Sequence, residues 1–421
     1  MKIAIIGAGI SGVSAAARLK QLGHRPVLFE RKDGLGGLIR CTREDGFLYH
    51  RVGGHVFNSK DEKVNKWFWS HFNRKDDFIH AKRNAGIYLG GQILGYPIEN
   101  HLWQLPEKIA KKAIAEIITL SSSENAQRKK KNLGEFFLET FGETLYKQYF
   151  YPYNSKIWQM DITKIPLHWL GGKLPMPSSE EVITANILRE EENNMIHAKF
   201  FYPKEGGSQF IINTLAKGIE MIEAEIENIS ICPMGVQVNN RIFDAAIYTG
   251  DLRELRRIIS GEWRSRGLLD ETSDLRSNPT SNMLCSCTSN EYSWIYLPEE
   301  AFKAHRLIMT GNFSQSNNPA SINIDRTSCT VEFSGILSDE EMKEEASSLP
   351  FSLTPVSFNR ENNAYVIQNE STRRLVDQIK ASVCEHRLFL TGRFAEWEYY
   401  NMDAAIKSAL DTCDKITQIS K

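Results

Sequence analysis

Lys2-Ile-Ala-Ile-Ile-Gly7-Ala-Gly9-Ile-Ser-Gly12 is followed by Ala15-Ala16-Ala17-Arg18-Leu19 at helical spacing and then by Val27-Leu28-Phe29-Glu30. The stretch reads as strand, glycine turn, helix and second strand, with an acid closing the second strand. Gly7 permits the tight turn, Gly9 lets a pyrophosphate approach the backbone, and Gly12 lets the helix pack close to the strand. The helix N-terminus then faces the phosphates, and Glu30 stands where a carboxylate holds ribose hydroxyls. Gly23 is the expected C′ stop of the helix. A secretory leader is the competing reading of Lys2, an apolar run and an Ala-rich patch. Three glycines break that run, and a second strand with its acid follows on schedule.

The chain of 421 residues is too long for one typical core and predicts two or three domains. Lys plus Arg number 51 and Asp plus Glu 52, so the formal net charge of −1 gives no general pull toward nucleic acid or membrane. Seven cysteines are scattered, with only Cys285 and Cys287 close together. That is neither a disulfide framework nor a metal site, so no metal is expected and the chain reads as cytoplasmic and reduced. No apolar run approaches the length of a membrane span. The basic run Arg128–Lys131 reads as a solvated loop, while Glu190–Glu192 and Asp339–Glu345 read as exposed helix faces or ends.

Further along, Gly86–Gly95 reads as a hairpin around Gly90-Gly91. Residues 103–190 are mostly helical in pattern, with Glu107 opening one helix and Ser178 with Glu181 forming a capping box for another that runs through Asn186. A helix is expected from Gln209 to about Ile219. Short strands follow to Tyr248-Thr249-Gly250, then alternating strand-like runs over 282–368, then Leu388-Phe389-Leu390-Thr391-Gly392-Arg393 and a helix from about Met402.

A second glycine loop, Arg31-Lys32-Asp33-Gly34-Leu35-Gly36-Gly37, follows Glu30 closely. This pair of loops resembles the amine-oxidase-like flavoproteins, in which Gly-Gly runs along the FAD pyrophosphate and ribityl chain. Four further motifs carry a narrower likeness. They are Val52-Gly53-Gly54-His55-Val56-Phe57; Gly95-Tyr96-Pro97-Ile98-Glu99-Asn100; Tyr151-Pro152-Tyr153-Asn154-Ser155-Lys156-Ile157-Trp158; and Gly392-Arg393-Phe394-Ala395-Glu396-Trp397-Glu398-Tyr399-Tyr400-Asn401-Met402-Asp403. In order and spacing they resemble the UDP-galactopyranose mutases over nearly the whole chain.

The resemblance implies an α/β fold: a Rossmann-like FAD-binding domain with an inserted helical domain and an antiparallel β-sheet domain. The expected boundaries are 1–78, 192–260 and 370–421 for the FAD-binding domain, 100–191 for the helical domain, and 79–99 with 280–369 for the sheet. It implies an isomerase interconverting the pyranose and furanose forms of a nucleotide sugar through a reduced-FAD N5–sugar adduct, with NADH or NADPH as external reductant. A role in cell-surface polysaccharide biosynthesis goes with it, and a homo-oligomer is left open. Cofactor contacts carried over are Gly7, Gly9, Gly12, Glu30, Arg31, Gly36, Gly37, Gly54, His55, Arg393, Asn401 and Met402. His55, Arg306, Tyr365 and Tyr399 take the catalytic roles, with Arg306 clamping the diphosphate and the two tyrosines contacting it. Tyr96, Asn100, Tyr149, Tyr153, Trp158, Asn186 and Tyr296 complete the substrate pocket. Each has a bland alternative: a structural histidine, an exposed strand arginine, core aromatics with satisfied hydroxyls.

Two positions depart from the pattern. Tyr151 stands where the eukaryotic-type motif has a second arginine, and the other loop that could supply one reads Gly172-Lys173-Leu174-Pro175-Met176-Pro177. Glu99 stands where a glutamine is usual. Losing one arginine–phosphate contact costs about 1.5–3 kcal/mol if nothing compensates, enough to suggest a different sugar or base. The alternative function is an FAD-dependent oxidase or desaturase of the same superfamily. A non-catalytic flavin-binding or sugar-nucleotide-binding protein is a third reading.

Overall fold

The computed structural model describes residues 1–122, 128–167, 177–189, 198–232, 235–261 and 266–419. Lys2–Ile6 is the middle strand of a five-stranded parallel sheet, in the order Leu388–Leu390, Ala245–Tyr248, Lys2–Ile6, Arg25–Glu30, Glu220–Glu223. Parallel strands are covered on both faces and need continuous apolar runs. Ile3–Ile6 and Ala245–Tyr248 supply them and are buried throughout.

The helix Ile10–Gln21 crosses from the first strand to the second, buried between the sheet and the late helix Met402–Ile419. Ala15, Ala16 and Ala17 keep that three-layer packing close. At Gly12 the approach is tightest: a Cβ there would lie 1.9 Å from the Gly7 carbonyl oxygen. The helix stops at Gln21, and Gly23 follows at φ +83° as the sequence predicts.

The described helices of the inserted segment are Glu107–Ser121, Leu133–Leu145, Tyr151–Trp158 and Ser179–Leu188, with one π-helical turn over Tyr146–Phe150. Ser178 and Glu181 make the reciprocal capping box. The helix expected to end near Ile219 spans Gly207–Leu215 instead, and Gly218 at φ +68° turns the chain into the edge strand Glu220–Glu223. Arg128 pairs with Glu135 and Glu139 on Leu133–Leu145, so the basic run is partly tied to a helix rather than wholly solvated. Asp339–Ala346 is a helix, in line with the reading of that acidic stretch, and the structure adds Ser338 as its cap. Glu190–Glu192 lie outside the described residues.

A seven-stranded sheet has the order Thr354–Ile367, Arg276–Thr288, Arg326–Ser334, Ala304–Ile308, Trp294–Tyr296, Ala85–Leu89, Gln92–Gly95. It is antiparallel except at one seam, where Trp294–Tyr296 runs parallel to Ala85–Leu89. The early hairpin joins from a distant part of the chain, so no tight turn dictates its direction. A smaller four-stranded sheet is formed by Arg241–Phe243, Gly235–Val238, Ile229–Cys232 and Ile259–Ser260. Among the described residues no helix is long and apolar enough to cross a membrane.

Candidate active site

One cavity of about 640 Å³ runs from the glycine turn at the carboxyl end of the parallel sheet to the face of the seven-stranded sheet. Its first end is backbone. Gly7 sits at φ +100°, and a Cβ there would lie 2.4 Å from Thr249 Oγ1. Gly36 donates its N–H to the Ala8 carbonyl at 2.9 Å, and Gly9 bridges to Gly36. A Cβ on Gly37 would lie 3.1 Å from the Gly9 Cα, so the two glycine loops touch and form one lip of the cavity. Ile10–Gln21 begins at Gly9 with no side-chain cap, leaving its first N–H groups for an anion in the cavity.

Glu30 faces the same space, its carboxylate accepting from the Ala8 N–H at 2.8 Å and the Lys32 N–H at 3.0 Å. Arg31 lines the rim and pairs with Glu254 at 3.1 Å. These features fit a dinucleotide: two touching glycine loops with little room for a Cβ at Gly7, Gly36 and Gly37, an uncapped helix start, and an acid at the end of the second strand.

The middle of the cavity is lined by Gly53, Gly54, His55, Arg393, Asn401 and Met402. A Cβ on Gly54 would lie 2.5 Å from Ile308 Cγ2, so the loop lies flush on the sheet. His55 donates from Nε2 to the Val52 carbonyl at 2.7 Å, which fixes its tautomer and leaves Nδ1 as an acceptor. Burial, with Arg393 nearby, pushes its pKa down to about 4, so the ring is neutral at pH 7. Arg393 donates from Nη1 to the Ala364 carbonyl at 2.9 Å and from Nε to the Tyr400 carbonyl at 3.1 Å. Gly392 at φ +94° and the bond from its N–H to Glu396 at 2.9 Å hold this late turn in place.

The far end is a side-chain cluster. Arg306 donates from Nε to Glu332 and from Nη2 to the Tyr365 hydroxyl at 3.2 Å. Tyr365 donates in turn to Glu332 Oε1 at 2.7 Å. Glu332 is 1% exposed. Burial alone would raise its pKa, but the Arg306 charge and hydrogen bond, with the His305 ring close by, outweigh that and hold it well below the usual range. Tyr399 stacks on Tyr365 with ring centroids 5.8 Å apart, and the Arg393 guanidinium lies 5.0 Å from the Tyr399 ring. Tyr296 lines the same wall, directly opposite Arg306 on the neighbouring strand.

The remaining candidates lie off this wall. Tyr153 packs edge-on behind Tyr296 at 5.4 Å, with Tyr149 stacked behind it at 5.5 Å. Trp158 packs edge-on against Tyr365 and Tyr399 at 6.1 and 5.7 Å. Tyr96 stacks beside Tyr296 at 4.7 Å, and half-buried Asn100 ends the short turn Ile98–Asn100. The Asn186 amide is consumed by backbone: it donates to the carbonyls of Glu99 and Val182 and accepts from the Leu102 N–H, which ties the helix to that turn. Its place is therefore structural here, not on the cavity wall. Tyr151, 37% exposed, packs near Tyr146 away from the cavity. Glu99 is buried beside Tyr96 and Tyr149. Lys173 lies outside the described residues.

Sequence reasoning missed Glu332, Trp294 and Arg83, all of which line the cavity. Glu332 had a signal: a lone acid in the apolar strand run Cys329-Thr330-Val331-Glu332-Phe333, where a buried charge needs a partner. Arg83 reads only as one of several charges at a strand end.

Residues 5–72 match the family model for an NAD(P)-binding Rossmann-like domain. With the cradle described above, the match marks this part of the chain as a Rossmann-like dinucleotide-binding unit. Within that class, the fold of the whole chain is that of UDP-galactopyranose mutase: a crystal structure of the reduced mutase superposes with a TM-score of 0.88, covering 99% of this chain and 96% of that one at 21% identity. A Klebsiella pneumoniae protein described as "Probable UDP-galactopyranose mutase" is 26% identical over 167 residues, 39% of this chain and 42% of its own length. An Escherichia coli dTDP-fucopyranose mutase is 27% identical over 217 residues, 51% of this chain and 54% of its own length. The chain thus matches about half the length of these curated relatives.

Proposed function

We propose that this protein binds FAD and interconverts the pyranose and furanose forms of a nucleotide sugar. One observation carries the reading: the double glycine cradle and the Arg306–Glu332–Tyr365–Tyr399 cluster face one continuous cavity. The similarity to two sugar-nucleotide mutases supports it.

Gly7, Gly9, Glu30, Gly36 and Gly37 would hold the adenosine and pyrophosphate part of the cofactor; His55, Arg393, Asn401 and Met402 would border its ring. When bound and reduced, by NADH or NADPH in this reading, the flavin supplies a nucleophilic nitrogen toward the anomeric carbon. The chain's own residues handle the leaving group. Arg306 is locked in one orientation by Glu332, and that fixed fork meets the departing diphosphate without reorganising. The Tyr365 hydroxyl donates to Glu332 and accepts from Arg306, which helps fix that pair in place. Neutral His55 offers Nδ1 as a fixed acceptor beside the ring, and Arg393 orders the late turn by holding two backbone carbonyls.

The helical segment 100–191 with the sheet 79–99 and 280–369 forms the substrate side, and 1–78, 192–260 and 370–421 the cofactor side. A cytoplasmic setting suits a nucleotide-sugar substrate. An oxidase or desaturase acting on a lipid would use an apolar wall where this cavity has Arg83, Arg306 and Arg393 with the hydroxyls of Tyr296, Tyr365 and Tyr399.

The test is turnover. The yellow protein, reduced with dithionite, is given UDP-galactopyranose, UDP-galactofuranose and a panel of dTDP- and GDP-sugars, and products are resolved by anion-exchange chromatography. Interconversion of one pair, with a flavin–sugar species captured by cyanoborohydride, is expected. No interconversion and no captured species across the panel, or turnover that consumes oxygen without isomerising a sugar, overturns the reading.

A further inference from the structure

Arg83 lies between the strands Phe78–Lys82 and Ala85–Leu89, and its side chain lines the cavity. The guanidinium rests 4.7 Å from the ring of Tyr96, 5.3 Å from Trp294 and 5.8 Å from Tyr296. It donates from Nη2 to the Tyr296 hydroxyl, while its Nε is buried without a hydrogen-bond partner. Among the described residues no carboxylate pairs with it.

The donors of Arg306 and Arg393 are already engaged. Arg306 is neutralised by Glu332, and Arg393 spends its donors on the Ala364 and Tyr400 carbonyls. Arg83 therefore keeps an unspent guanidinium donor at this wall, with no carboxylate paired to it among the described residues. Tyr296 and Arg306 are direct cross-strand partners, so their side chains share one face of the sheet. Arg83, bonded to Tyr296, flanks the same patch. A buried guanidinium N–H without an acceptor is costly unless an anion arrives to meet it.

We infer that Arg83 is the second guanidinium of the diphosphate site, supplied from the sheet where Tyr151 supplies none from the helix. The inference rests on the nucleotide-sugar reading above. It also accounts for how a chain with Tyr151 can keep a doubly clamped leaving group: the cation comes from another element, across Tyr296 from Arg306.

The experiment compares UDP with uridine, both read by quenching of flavin and tryptophan fluorescence, in wild type, Arg83→Met and Arg83→Lys, with flavin content measured in each. Arg83→Met should weaken UDP binding about 10–100-fold while uridine affinity and flavin content stay put, since a charge-assisted contact to phosphate alone is lost. Arg83→Lys keeps the charge without the fork and should lose about tenfold on UDP alone; it decides the matter if the methionine variant fails to fold. Unchanged UDP affinity, or equal loss of UDP and uridine, overturns the assignment. A wild type that binds none of UDP, dTDP and GDP overturns both this and the isomerase reading. A wild type that binds UDP but isomerises no sugar overturns the isomerase reading alone, and the variants still decide Arg83.

Discussion

The Gly7 end of the cavity is walled by backbone, and the Arg306 end by side chains. At the first, four glycines from residues 7–37 meet within one loop pair, and the binding surface is main-chain N–H groups and a helix start. At the second, Arg83, Tyr296, Arg306, Glu332, Tyr365 and Tyr399 converge from stretches more than 300 residues apart. At the first end a Cβ on Gly7, Gly36 or Gly37 would crowd a neighbouring atom at 2.4–3.1 Å. The second tolerates shape changes but not the loss of one partner of a charge pair. The difference suits a surface that holds a constant group beside one that adapts to varying substrates.

The strongest break in this contrast is Arg306→Ala. It leaves Glu332 buried and unpaired, which costs about 3–5 kcal/mol, measurable by urea denaturation. Nucleotide binding should fall further than flavin content. The double change Arg306→Met with Glu332→Gln should recover most of the stability and none of the nucleotide affinity; equal recovery of both would mean that the pair only holds the fold.

Gly12→Ala attacks the other end. Its Cβ would overlap the Gly7 carbonyl, and overpacking of this kind costs about 1–3 kcal/mol. Flavin content of the purified protein should drop while the sheet-end cluster, assayed by UDP binding to whatever holoprotein remains, is undisturbed.

A pH series sharpens the middle of the cavity. His50 and His55 have pKa values lowered to about 3 and about 4, chiefly by burial. The unfolded chain takes up protons near pH 6.5, before the folded one does, so stability is full above that pH and is lost as pH falls toward 4. Glu332, held below the carboxylate range, steepens the loss further at lower pH. The melting temperature should fall between pH 6.5 and 4, and His55→Gln should flatten that slope; a slope unchanged by the substitution would place the protonation elsewhere.

The smallest effect belongs to Arg18 and Asp414, which pair at 2.8 Å across the first and last helices at a partly exposed position. Arg18→Ala should cost no more than about 1 kcal/mol and leave both ends of the cavity intact.

The legibility of the chain follows the same division. The dinucleotide unit was readable because its chemistry is local: glycine positions, helical alanines and Glu30 all fall within 30 residues. The Thr249-Gly250 and Thr391-Gly392 returns were readable for the same reason. Arg306, Tyr365 and Tyr399 were reached only through motif resemblance, since nothing around Ala304-His305-Arg306 says which residues face it. Glu332 and Arg83 went unseen because their significance lies in partners contributed by other strands. Asn186 was drawn toward the substrate by resemblance, whereas its hydrogen bonds to Glu99, Val182 and Leu102 are a matter of helix docking. The parallel seam between Trp294–Tyr296 and Ala85–Leu89 left no local trace either, because direction between distant strands is not encoded in either one.

The central strand Lys2–Ile6 pairs with Ala245–Tyr248, which pairs with Leu388–Leu390, and the helix following that first strand is sealed by Met402–Ile419. During synthesis the strand Lys2–Ile6 therefore waits for one made roughly 380 residues later. At about 5–20 residues per second, the ribosome needs about 20–80 s to reach strand Leu388–Leu390 from Lys2–Ile6, and the inserted helices emerge long before it. Over that interval the apolar faces of Lys2–Ile6 and Ile10–Gln21 are without their final cover, and products stopped short of residue 388 would lack Arg393, Asn401 and Met402 from the cavity wall.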